Sequence, residues 1–249
     1  MNYHGYNLTV FEEPIPGATY AIGGDPAEGL ERGDDSVLEG INCDSGEHAF
    51  ELYGKIEPVA FGEHAFKLGT WYNNALIGVE NNIDNTANRV LHTLGYSNIY
   101  REQREVGRAY RSPTDKLGWN TNLRTRPQLI AMGRKWMSDG SAICRSTKLT
   151  NQFKNFALHG KKFQGLPGSH DDFVMAWLIA IEMVNFQLEM MQAHENKLVP
   201  LAHGQPIRQG GIIEWDESHD ISYSERLIAQ VHSKDRHPDF KSGMGSYVG

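Results

Sequence analysis

Gly168-Ser169-His170-Asp171-Asp172-Phe173-Val174-Met175-Ala176 sets two adjacent acids at the mouth of an apolar helix. Gly165, Pro167 and Gly168 break whatever precedes, and Ser169 suits an N-cap. From Asp171 onward, Phe173, Val174, Trp177, Leu178, Ile181 and Val184 recur at helical spacing, which predicts a helix over 171–191. Acids in a first turn suit the positive end of the helix dipole, so capping alone explains one of them. Two acids side by side, with His170 before them, also make an oxygen-rich site for a hard divalent cation. Taken alone, such a motif is more often a cap than a site, and what shifts the balance lies upstream.

Residues 18–24 read as a short buried strand that Asp25-Pro26 ends, because proline cannot donate to a sheet ladder. A second strand over 36–41, a turn at Asp44-Ser45-Gly46 and a third strand over 48–53 complete an antiparallel three-strand meander. The preceding residues, 1–17, read as a lead-in punctuated by Pro14, Pro16 and Gly17. Pro58 opens an amphipathic helix that ends near Asn73-Asn74, and 75–79 is a compact apolar strand with Glu80 at its carboxyl end. A helix over 84–94 stops at Gly95, a brief strand follows at 98–100, and 101–118 reads as a basic hairpin or mobile loop. Helices are predicted over 125–137, with Pro127 in the first turn, and from Ser146 to about 156, separated by a short strand at 142–144. Residues 192–249 are rich in glycine and proline, hold one short helical pattern at 224–231, and read as an appendage or extended tail. The fold class is therefore α/β: a mixed sheet, the antiparallel meander plus parallel strands, flanked by helices.

The 249 residues carry a net charge of −7, which by itself speaks against a nucleic-acid partner. The charge is segregated, however. Between Arg101 and Lys162 stand fourteen Lys and Arg against four acids, so a basic face can coexist with an acidic pocket. Cys43 and Cys144 are far apart and lack a CxxC partner, which fits a reducing compartment and argues against a zinc site. No apolar run approaches the ~18 residues of a membrane span, and residues 1–11 have no signal-peptide pattern.

Three acidic stations thus share one kind of address: Asp25 ends the first strand, Glu80 ends the fourth, and Asp171-Asp172 opens the last core helix. Strand ends and helix N-termini expose side chains on a rigid backbone, which is where chemistry collects in an α/β sheet. Each acid alone has a plainer explanation as a turn or cap. Converging carboxylates repel one another unless a divalent cation supplies the missing charge, and two such cations can drive phosphoryl displacement.

In these motifs the chain resembles the nuclease domain of tailed-phage terminase large subunits. Ile22-Gly23-Gly24-Asp25-Pro26-Ala27-Glu28-Gly29 with Gly33-Asp34-Asp35-Ser36 matches the first motif, Leu76-Ile77-Gly78-Val79-Glu80-Asn81-Asn82 the second, and Gly168 to Ala176 the third. Lys116-Leu117-Gly118-Trp119 is similar to the stretch before that family's penultimate long helix. The resemblance covers residues 18–191 and implies a ribonuclease H-like fold. It also implies Mg²⁺- or Mn²⁺-dependent endonuclease action, with two ions, that cuts concatemeric viral double-stranded DNA during genome packaging.

Carried over position by position, Asp25, Glu80 and one or both of Asp171 and Asp172 become metal ligands and catalytic acids. Asp34 matches a second acid of the first motif, and its plain alternative is a loop acid. Arg101, Arg104, Arg108, Arg111, Lys161 and Lys162 are the candidate DNA-backbone contacts. The expected partners are DNA, the terminase ATPase domain, the small terminase subunit and the portal, with no membrane, in the host-cell cytoplasm and outside the finished virion. Two departures from the family stand out. No glycine-rich phosphate loop ending in Gly-Lys-Ser/Thr occurs, since Gly160-Lys161-Lys162 lacks its spacing and hydroxyl, so the packaging motor must come from elsewhere. Gly23-Gly24 also stands where a β-branched residue commonly precedes the acid. A junction resolvase or transposase core, which shares such acids, and a non-catalytic DNA- or portal-docking module are the competing readings.

Overall fold

Among the described residues, six strands form the main sheet in a computed structural model of the chain. They are β1 (Asn2–Tyr3), β2 (Tyr6–Val10), β3 (Tyr20–Asp25), β4 (Ser36–Asn42), β5 (His48–Gly54) and β6 (Leu76–Val79), in the order β1-β2-β5-β4-β3-β6. The structure describes residues 2–3, 6–82, 85–106, 110–159, 162–166 and 169–202. Strands β3, β4 and β5 are the antiparallel meander, and β6 joins β3 in parallel, giving the mixed ribonuclease H-like sheet. Part of the segment read as a lead-in, Tyr6–Val10, is strand β2 and pairs with β5. Its alternation is weak, with Pro14 and Pro16 close behind, so only the neighbouring strand reveals it.

The sheet is covered on both faces, which is why its strands read as short apolar runs. Helices α1 (Pro58–Trp71) and α2 (Thr86–Thr93) share one core with Tyr20, Ile22, Leu38, Phe50 and Ile77. Asn73 and Asn74, both at positive φ, turn the chain from α1 into β6. Next comes the hairpin β7 (Arg101–Val106) and β8 (Tyr110–Leu117), in the segment expected to be a hairpin or mobile loop. Helices α3 (Thr125–Ser138) and α4 (Thr147–Lys154), the hairpin β9 (Phe156–His159) and β10 (Lys162–Gly165), and helix α5 (Asp172–Ala202) complete the order. The expected strands at 98–100 and 142–144 are reduced to single bridges, Ile77 to Ile99 and Glu47 to Ile143. The hairpin β9–β10 was not expected: Lys162 and Phe163, read as part of a basic turn, lie in β10, and residues 160–161 are outside the described residues.

Helix α5 lies on the other face, where Val174, Trp177, Ile181 and Val184 pack with Ala21, Val37, Ile41 and Leu76. Over Asp172–Gln192 the mean hydropathy is 1.4, enough by length and composition to cross a membrane, although no uninterrupted apolar run flagged it. Two-thirds of that window is buried inside the protein, as befits a core helix. Its start is capped differently from the sequence expectation. Gln152 Oε1, reaching from α4, accepts from Phe173 N (2.9 Å) and Val174 N (3.3 Å), while Ser169 N bonds back to Leu166 O. A cap supplied by another helix leaves no local signal.

Two glycines explain how closely α5 approaches. A Cβ on Gly23 would fall 2.2 Å from both Ala176 O and Ala180 N, and one on Gly78 would fall 2.4 Å from Met183 Sδ. A β-branched residue at the position of Gly23 would push the helix off the sheet. The elements above, α5 as far as Asn196, belong to the compact unit Met1–Asn196, and the helix continues to Ala202, into the segment expected to be an appendage or extended tail. Of the expected tail, residues 203–249 lie outside the described residues.

Candidate metal centre

Strand alternation and register bring the acids together. On β3, Ala21, Gly23 and Asp25 face α5, and the parallel register pairs Ala21 with Leu76 and Gly23 with Gly78. Two residues further along both strands stand Asp25 and Glu80, joined through Glu80 N to Gly24 O at 2.8 Å. On the helix, Asp172 is four residues before Ala176 and eight before Ala180, so it lies on the face that rests on Gly23. The same close contact that needs glycine in β3 therefore lowers Asp172 toward Asp25.

The electrostatics follow from that convergence. The Asp25 carboxyl is held well above the usual carboxylate range, first by burial and then by Glu80 and Asp172. Asp172 is pushed up to about 6, chiefly by burial and then by Asp34, while the Asp35 N–H (3.3 Å) and His170 pull it part of the way back. Ligand atoms of Asp34, His170 and Asp172 all lie within 4.8 Å of one another, and His170 Nδ1 meets Asp34 Oδ1 at 2.8 Å. The neighbour of Asp172 is placed otherwise: Asp171 accepts from Arg126 Nη2. Thus Asp25 and Glu80 stand together at the strand ends with Asp172 facing them from the helix, the ligand atoms close enough to share one ion are those of Asp34, His170 and Asp172, and Asp171 is held aside by Arg126.

Asp25, Asp34, Glu80, Asp171 and Asp172 line a cleft of about 610 Å³. The donor set is carboxylate oxygen plus one imidazole, with two carboxyls pushed toward protonation by burial first and by neighbouring acids second, and it fits a hard divalent cation. Three supporting residues escaped the sequence reading. Arg126 holds Asp171 and also donates from Nε to Phe163 O (2.9 Å); it occupies the first turn of α3, where nothing local marks it. Lys55 pairs with Asp35 (2.6 Å) and donates to Gly33 O, closing the acidic loop. Asn82, within the second motif, donates to Glu80 Oε1 (3.0 Å) and Thr121 O (2.6 Å). Gly118, at φ +85° and with room for a Cβ blocked by Val79 O at 2.3 Å, lets Trp119 bridge to Glu80.

The basic residues are less fully placed. Arg101 and Arg104 lie on β7, the latter exposed. Arg111 and Lys162 lie in β8 and β10, and their side chains, like the whole of Arg108 and Lys161, are outside the described residues.

No protein-family model and no curated protein matches the chain. Solved structures do. The large terminase nuclease of the thermophilic phage G20c with bound cobalt superposes with a TM-score of 0.56 at 17% identity, over 70% of this chain and 86% of that one. Its magnesium-bound form gives 0.55 at 18%, over 70% and 86%. The large terminase nuclease domain of Thermus phage P74-26 gives 0.52 at 16%, over 72% and 86%. The chain has the ribonuclease H-like fold of phage large-terminase nuclease domains.

Proposed function

We propose that the chain is a divalent-metal-dependent DNA endonuclease of the terminase type, cutting concatemeric viral double-stranded DNA during packaging. One observation carries the reading. Asp25 and Glu80 from two strand ends and Asp172 from a helix start, 147 residues apart at the extremes, line one cleft, where burial first and then the neighbouring acids hold the Asp25 carboxyl above the usual carboxylate range. A protein gains nothing in stability from such crowding, so its use lies in what it binds. Fold and bound metals of the G20c structures support the same reading.

Asp25, Glu80 and Asp172 would hold the cation, with Asp34 and His170 completing a second position beside Asp172. When bound, two Mg²⁺ or Mn²⁺ ions supply the charge that activates water and stabilises the departing 3′ oxygen. Asn82 fixes the orientation of Glu80, and Arg126 holds Asp171 turned toward α3. Arg101 and Arg104, with Arg108, Arg111, Lys161 and Lys162, would grip backbone phosphates, so binding weakens steeply with salt and reads little sequence. The terminase ATPase domain, small subunit and portal, in the host cytoplasm, are the partners this role requires.

Plasmid digestion tests the proposal. The wild type should nick and linearise DNA with Mg²⁺ or Mn²⁺ and stop in EDTA, and Asp25→Ala and Glu80→Ala should each abolish cutting. Cutting that survives both substitutions, or persists in EDTA, sinks it.

A further inference from the structure

Helix α5 opens on an acid that does not do the capping its position invites. Met175 N donates to Asp171 O (2.8 Å), the first bond of the helical ladder, so Asp171 is the N-cap residue. An aspartate there ordinarily accepts, through its carboxylate, from the N–H of the second or third helical residue, here Phe173 or Val174. Both N–H groups instead go to Gln152 Oε1 of α4, at 2.9 and 3.3 Å. The Asp171 carboxylate accepts from Arg126 Nη2, and both side chains line the acid cleft.

Phe173 and Val174 are buried, so their N–H groups cannot turn to water and need an acceptor within the protein. Two acceptors are within reach, one on α4 and one at the head of α5 itself. The first is firmly held. Ser146 Oγ caps α4 by accepting from Leu149 N (3.1 Å), and Leu149 is buried. Lys148 Nζ stands 4.3 Å from the centre of the Tyr53 ring and 5.9 Å from that of Phe173. Gln152, one helical turn past Lys148 on the same face, is thereby fixed over the start of α5. Arg126 has an anchor of its own, since its Nε donates to Phe163 O (2.9 Å), so the guanidinium stays beside the acids with or without Asp171.

We propose that Gln152 is a positioning residue for the metal centre: by capping α5 from α4 it releases Asp171 from the cap and leaves its carboxylate on Arg126. The inference rests on the nuclease reading and adds to it a residue that touches neither metal nor DNA. With Gln152 in place, Asp171 neutralises Arg126 inside the cleft. Without it, the Asp171 carboxylate turns onto Phe173 N and Val174 N. Arg126 is then an uncompensated cation lining the same cleft as Asp25, Glu80 and Asp172. Such a charge opposes a divalent ion, so more Mg²⁺ is needed to fill the site.

Gln152→Met keeps the length of the side chain and removes its oxygen. It should raise the Mg²⁺ concentration for half-maximal plasmid cutting roughly tenfold, and shift the Mg²⁺ midpoint of thermal stabilisation, read without DNA, by a similar factor. Gln152→Ala, which also lacks the oxygen, should repeat both shifts. Gln152→Glu restores an acceptor and should return both to within about threefold of wild type. Melting in EDTA reads the exchange of caps directly. In the wild-type background Asp171→Ala removes the pairing with Arg126, whereas beside Gln152→Met it removes the remaining cap. The double variant should therefore lose about 2–4 °C more than the two single losses added together. Additive losses, or an unchanged Mg²⁺ requirement in folded Gln152→Met, overturn the inference while leaving the nuclease reading intact. A wild type that cuts no DNA with Mg²⁺ or Mn²⁺ overturns the nuclease reading, and the melting comparison still decides the exchange of caps.

Discussion

Asp25 works against the fold that holds it. Its carboxyl is crowded by Glu80 and Asp172, and ionising it at neutral pH costs stability in the absence of a cation. Asp25→Asn should therefore raise the melting temperature measured in EDTA by several degrees while eliminating cleavage, the trade expected of a strained functional site. An unchanged or lower melting temperature would show that the acid crowding is relieved some other way. Arg126 acts in the opposite sense. It is 14% exposed at its side chain and satisfies both Asp171 and Phe163 O, so Arg126→Gln removes a charged hydrogen bond worth about 1.5–3 kcal/mol and frees Asp171 to add to the repulsion. Urea melts should report that loss, and plasmid cutting should fall roughly tenfold or more because the first turn of α5 loses its brace.

Helix α5 and strand β3 behave as one device. Asp172 reaches Asp25 because Ala176 and Ala180 sit directly on Gly23, with a gap too small for a methyl group. Gly23→Ala should accordingly destabilise the protein by at least about 1–3 kcal/mol through overpacking. It should also lower activity beyond what its fraction folded explains, because the helix must lift and carry Asp172 with it. Thermal unfolding alongside specific activity at a temperature where the variant is folded separates the two effects. Full activity in the folded variant would mean that the approach of α5 does not set the acid spacing. At the other end of the site, Gly118 serves β6 similarly, letting Trp119 continue the sheet past Glu80.

For the molecule as a whole, the acid site sets how stability depends on pH. Burial first, and then Asp34, push Asp172 from the ordinary aspartate value of 3.8 up to about 6, and Asp25 is raised as well. Over this range the folded state binds more protons than the unfolded one, so stability in EDTA falls as pH rises from about 4 through 6 and goes on falling until Asp25 too has ionised. Divalent cations should reverse the trend by binding the ionised acids, making the melting temperature at pH 7.5 climb with Mg²⁺ or Mn²⁺ concentration. A metal-free melting temperature that rises steadily across this range would contradict the site geometry.

What was legible in advance follows from which signals are local. Strand and helix periodicity exposed the meander, β6, α1, α3 and α5, and the addresses of Asp25, Glu80 and Asp171-Asp172 at strand ends and a helix start were readable from the same pattern. Three ordered motifs then pointed to the ribonuclease H-like fold. The unusual Gly23-Gly24 pair could be noticed but not explained, because Gly23 answers to a helix more than 150 residues later and Gly24 to Leu38, Phe61 and Val79 on the opposite face. The same holds for β2, whose partner is β5, for Gln152 capping α5, and for Arg126 holding Asp171, each a long-range contact with no local mark. Sequence alone thus determined the element types and which acids stand at their ends, since dihedral preference and burial period are properties of neighbouring residues. Tertiary structure alone decided which acids share a site, because that depends on the register of β3 with β6 and on how closely two backbones can approach.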